Sequence, residues 1–60
     1  MRLKAVQVED LRPGDRLNVL GQTLTVEYVG KSGGLMEIFT REKESPIIRV
    51  GSGLAYIEER

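Results

Sequence analysis

Sixty residues, 40% of them hydrophobic and 30% charged, read as one globular domain near the lower size limit for independent folding; they leave no room for a second core and do not fit a disordered or collagen-like chain. Nine basic and nine acidic residues cancel to a net charge of zero, which weakens any case for the clustered basic surface that non-specific nucleic-acid binding requires. With no Cys and no His, the chain has no disulfide, thiolate nucleophile, imidazole base or catalytic zinc site to offer, and no cofactor is expected.

The first ten residues, MRLKAVQVED, meet a charged or polar residue at every second or third position. They lack the uninterrupted apolar run of a signal peptide or membrane span, so a cytoplasmic location without membrane association is expected. A first strand is placed within Leu3 to Val8. The next stretch, DLRPGDRLNV, sets charged groups around a Pro-Gly pair. In Arg12-Pro13-Gly14-Asp15, proline presets φ at the second turn position and glycine supplies positive φ at the third, as a type II turn demands. Pro13, Gly14 and Asp15 are therefore assigned a structural role. Leu11 is expected to dip into the end of the fold, and Asp10 and Asp15 to accept hydrogen bonds from turn amides. A cation site is not supported, because nothing here supplies the six or more oxygen ligands that calcium takes.

Alternation of period two then dominates. Leu17 and Val19 oppose Arg16 and Asn18; Leu24, Val26 and Tyr28 oppose Thr23, Thr25 and Glu27. Leu20-Gly21-Gln22-Thr23 between them suits a two-residue type II′ hairpin with Gly21 at its first central position. A loop Gly30-Lys31-Ser32-Gly33-Gly34 leads to a strand Leu35 to Thr40. Arg41-Glu42-Lys43-Glu44 reads as a solvated charged turn ending at Pro46. A strand Ile47 to Val50, a turn Gly51-Ser52-Gly53 and a strand Leu54 to Ile57 complete the chain. No window carries a helical apolar stripe. Residues 1–60 thus form a single all-β domain, a small barrel of five or six short antiparallel strands.

Chemistry is hard to place on this frame. Gly30-Lys31-Ser32 matches the end of a phosphate-binding loop, but the required glycine five residues before Gly30 is Thr25, and no helix follows. Ser32, Ser45 and Ser52 lie beside glycine or proline in turns, where no enclosed pocket would activate them. The chain is not expected to be an enzyme.

The Asp-Leu-Arg-Pro-Gly-Asp lead into an alternating strand, followed by a hairpin and a glycine-lysine loop, resembles SH3-like small barrels of the KOW and elongation-factor-P N-terminal type, over about Leu11 to Phe39. Similar Leu-x-Pro-Gly-Asp leads also occur in intein-like domains, whose catalytic Cys, His and Asn constellation is missing here. The resemblance implies an SH3-like barrel, and it implies that Lys31 corresponds to the functional hairpin-tip lysine of elongation factor P.

In Leu35-Met36-Glu37-Ile38-Phe39 both faces of a strand carry large apolar groups, and a single-layer wall buries only one set. Met36 and Ile38 are assigned to the core. Leu35 and Phe39 are assigned to the outside, with Ile47 and Tyr56 as companions in a candidate interface; the alternative is that Arg2 to Ala5 fold over this face. A non-catalytic protein-interaction or assembly module is expected, of the kind bacteria and their phages encode as short accessory chains, with itself as the first partner and a homo-oligomer as the result. The competing reading is a nucleic-acid-binding barrel that stacks bases on Tyr28, Phe39 and Tyr56. Against it, Glu37, Glu42 and Glu44 outnumber Arg41 and Arg49 nearby.

Overall fold

A computed structural model describes residues 2–42, 44 and 47–59. The strands are β1 (Leu3–Gln7), β2 (Arg16–Val19), β3 (Gln22–Ser32), β4 (Leu35–Thr40), β5 (Ile48–Val50) and β6 (Leu54–Glu58), with a single 3₁₀ turn at Val8–Asp10. All pairings are antiparallel, and the sheet order is β1-β6-β2-β3-β4-β5. The class is the all-β one the alternation predicts. The Pro46 end of the charged turn lies outside the described residues.

The 11-residue β3 joins the two halves of the sheet. Its first half pairs with β2, from Val19↔Gln22 to Arg16↔Thr25, and its second half with β4, from Val26↔Thr40 to Ser32↔Leu35. Bent in this way, the sheet wraps a core of Val8, Leu11, Leu17, Val26, Met36, Ile38 and Ile57. Its two ends do not meet, since β1 and β5 are the terminal strands and no pairing joins them among the described residues. The expected barrel is therefore an open one. The N-terminal strand runs along β6, with Leu3 opposite Glu58 and Ala5 opposite Tyr56, so Arg2 to Ala5 do not cover the outer side of β4.

The Arg12 to Asp15 corner forms as expected. Gly14 sits at φ 93°, the Asp15 N–H donates to the Arg12 carbonyl at 3.1 Å, and the Arg12 N–H donates to Asp15 Oδ2 at 2.9 Å. Leu11 is buried. The corner also reaches across to β3: the Gly14 N–H donates to the Val26 carbonyl and the Val26 N–H to the Asp15 carbonyl.

Three local expectations are corrected. The β2–β3 turn is centred on Leu20 and Gly21, both at positive φ (50° and 83°), with Val19 opposite Gln22. That is the pattern of type I′, one residue earlier than the type II′ turn anticipated, because the register pairing Leu17 with Leu24 buries both. Leucine at positive φ carries a cost of about 1 kcal/mol or more. The second correction concerns the glycine loop: β3 continues through Ser32, and only Gly33 and Gly34, at φ 58° and 83°, make the turn. Lys31 is a strand residue opposite Met36, not a hairpin-tip lysine.

The third correction is a bulge. The β3–β4 register shifts between Val26 and Tyr28, so the phase that puts Leu24 and Val26 inside does not carry Tyr28 inside with them. Val29, opposite the buried Ile38, takes the inward phase instead, and Tyr28 is 51% exposed.

A candidate protein-binding face

The outer side of β3, β4 and β5 is organised in rows set by the register. Met36 and Ile38 are buried, as the alternation predicts, so Leu35, Glu37 and Phe39 look outward. Tyr28 is the direct cross-strand partner of Phe39, and the rings stack with centroids 4.3 Å apart and planes 13° from parallel. On the other side of β4, Ile38 pairs with Ile48 and Glu37 with Arg49. Continuing that register by one step brings Ile47 alongside Phe39, and Ile47 is exposed. Tyr28, Phe39 and Ile47 therefore make one apolar row across the half-sheet.

The neighbouring row is Gly30, Glu37 and Arg49. Arg49 Nε donates to Glu37 Oε2 at 2.9 Å, so acid and base on this face are already matched to each other. Arg49 is largely solvated while the Glu37 side chain is mostly covered, so the pair adds modest stability at most, but it leaves the face close to neutral. Leu35, opposite Ser32 in the row beyond, is also exposed.

Of the four residues assigned to one interface, Leu35 and Phe39 share the outer face of β4, and the β4–β5 register carried one step past β5 leads to Ile47 beside Phe39. Tyr56 is elsewhere. It lies on β6 between Ala5 and Asn18, and β2 and β3 separate it from β4 in the sheet. Phase within a strand says which side a residue takes, not which strand stands next to it. Conversely, Tyr28 belongs to this face although the alternation set it in phase with the buried Leu24 and Val26. The adjacent large residues Tyr28 and Val29 were the available signal, because a strand cannot turn both inward without a phase change.

The charged segment after β4 is not simply solvated. Glu42 folds back so that its Oε1 accepts the Thr25 N–H at 2.9 Å, while the Arg41 N–H donates to the Thr25 carbonyl. That backbone hydrogen bond from Thr25 holds the Glu42 carboxyl below its ordinary value of 4.5; partial burial opposes it, and the Arg16 guanidinium adds a smaller push in the same direction. Arg16 in turn reaches Thr25 Oγ1 at 3.5 Å and Glu58 at 3.9 Å.

Among the described residues no group of three His, Cys, Asp or Glu side chains is placed to hold a metal ion, and no helix is long and apolar enough to cross a membrane. What the fold and this face define is a small, open, all-β antiparallel domain, compatible in its strand arrangement with SH3-like barrels. No family model matches the chain, and neither a curated protein nor a solved structure matches it significantly.

Proposed function

We propose that this domain is a non-catalytic protein-interaction module, a small accessory chain of bacterial or phage type, that buries the outer face of β3, β4 and β5 against another protein. The observation that supports it best is the stacked Tyr28–Phe39 pair, with Tyr28 half exposed and Phe39 partly buried, followed along the β4–β5 register by the exposed Ile47 and placed beside a self-neutralised Glu37–Arg49 pair. A flat row of aromatic and aliphatic groups with a compensated charge at its side suits a protein surface, where aromatics supply contact area at low entropic cost.

The nucleic-acid reading, to which the KOW-like turn pattern would lend itself, draws on the same aromatics. It needs uncommitted cations beside them, and the face's own Arg49 is engaged by Glu37. A photo-crosslinker at Leu35 in the native host, with and without Phe39→Glu, tests the protein reading; crosslinks to a discrete protein should form with the wild-type face and vanish in the variant. Mixed RNA and DNA oligonucleotides titrated with salt test the alternative. Tight binding that weakens steeply with salt would replace the protein reading with the nucleic-acid one.

A further inference from the structure

Beyond the bulge, one edge of β3 has no strand beside it. The two-residue turn Gly33–Gly34 closes on the pair Ser32↔Leu35, and in such a hairpin the flanking pair exchanges backbone hydrogen bonds. Counting back along the ladder, Gly30 and Tyr28 are likewise bonded to β4, through Glu37 and Phe39. The N–H and C=O groups of Val29 and Lys31 therefore point the other way, to the edge on which β2 pairs with the first half of β3. The β2 register ends at Arg16↔Thr25, and the corner makes its last bonds to this edge at Val26, from Gly14 and Asp15. Pro13, the next residue along, has no N–H to continue the ladder. Among the described residues nothing pairs with Val29 or Lys31 on this side.

A groove of about 360 Å³ runs there instead, with Val29, Gly30 and Lys31 of β3 lining it together with Glu9, Leu11 and Pro13. The buried Leu11 and Met36 give it an apolar floor. Lys31 is opposite Met36 and so shares the core side of the sheet, where a cation discourages pairing with a purely apolar strand. Glu9 comes from the 3₁₀ turn. Among the described residues neither Lys31 nor Glu9 belongs to an ion pair, and both also line a smaller recess that carries the groove on toward Gly34 and Ser52.

We propose that this edge takes an extended peptide segment of another protein, added as a strand along Val29 to Lys31, with an acidic side chain at Lys31, a basic one at Glu9 and an apolar one against Leu11 and Met36. Two separate features specify the occupant. The open donors and acceptors of Val29 and Lys31, two residues apart on one edge, match the repeat of an extended chain, which a small apolar molecule does not carry. The unpaired acid and base that line the same groove select a segment bearing both signs of charge over a wholly apolar or singly charged one.

This edge is distinct from the outer face of β3, β4 and β5, so the two readings fail separately. Amide hydrogen exchange of the full chain, before and after binding a peptide selected from a phage-displayed library of short random sequences, is the test. In the free chain the Val29 and Lys31 amides should exchange fast and the Gly30 amide slowly. Selected peptides should carry an acid and a base around an apolar residue, and the bound peptide should slow exchange at Val29 and Lys31. Lys31→Pro removes an N–H that faces away from β4, so it should fold and bind the peptide at least about tenfold more weakly. Lys31→Glu, which keeps the N–H, should weaken the same peptide through charge alone, and Phe39→Glu should leave it unchanged. Protection of Val29 and Lys31 in the free chain, whether by its own segment or by a second copy, overturns the proposal. So does a library that yields no binder, a peptide that protects neither amide, or one whose binding survives both Lys31 variants or is lost only in Phe39→Glu.

Discussion

The Gly14 N–H donates to the carbonyl of Val26 at 2.8 Å, and Val26 is the last residue of β3 before the bulge that turns Tyr28 outward. The Val26 N–H in turn donates to the Asp15 carbonyl at 2.9 Å, so the corner before β2 is tied by two backbone hydrogen bonds to the residue from which the aromatic row departs.

Gly14→Val is expected to destabilise the domain by about 1–2 kcal/mol. Nothing lies within 4 Å of a β-carbon built at Gly14, so the cost is conformational, a β-branched residue held at φ 93°. Gly14→Asn should cost much less, since asparagine is tolerated at this turn position. Thermal melting checks both, at about 4–8 °C per kcal/mol for a domain of this size. Because the corner is tied to Val26, the valine variant should also shift the Tyr28 and Phe39 ring resonances. Equal melting points for the two variants would refute the turn geometry.

The Tyr28–Phe39 stack should contribute coupling beyond the area each ring covers. A double-mutant cycle with Tyr28→Leu and Phe39→Leu, read by denaturant unfolding, should return about 0.5–1.5 kcal/mol. A coupling indistinguishable from zero would mean the rings share a row without holding each other.

Thr40, opposite Val26 at the bulge, has a buried hydroxyl oxygen with no hydrogen-bond partner among the described residues. Replacing it with a methyl of similar shape removes an uncompensated desolvation, so Thr40→Val is expected to stabilise the fold by on the order of 1 kcal/mol. A lower midpoint in urea for the variant would show that the hydroxyl has a partner in solution.

Glu42 links stability to acid. Its folded pKa lies below the ordinary 4.5, so the unfolded chain binds the proton more readily. The contribution is present in full above 4.5 and is lost as pH falls through the lower folded value. Wild type should therefore lose more stability than Glu42→Gln between pH 5 and pH 3, the difference between their melting curves narrowing toward the acid end. Parallel curves over that interval would place the carboxylate in solvent, away from the Thr25 amide.

Strand content, the Arg12 to Asp15 corner and the inward phase of Met36 and Ile38 were legible in the sequence because each depends on residues within a few positions of one another. Period-two alternation sets which side of a strand is buried, and proline followed by glycine sets the backbone of a turn whatever surrounds it. The bulge at Glu27, the one-residue earlier turn at Leu20, the capping of Thr25 by Glu42 and the separation of Tyr56 from Phe39 were not legible. Each is a choice among locally similar options, decided by pairing between distant segments. Val29 rather than Tyr28 meets Ile38; the register that buries Leu17 against Leu24 forces Leu20 into positive φ; and the sheet order puts β2 and β3 between β6 and β4. A one-residue shift in register exchanges the two faces of a strand at almost no local cost, so only the packed core, where the wrong face would leave Val26 and Ile38 in water, selects between them.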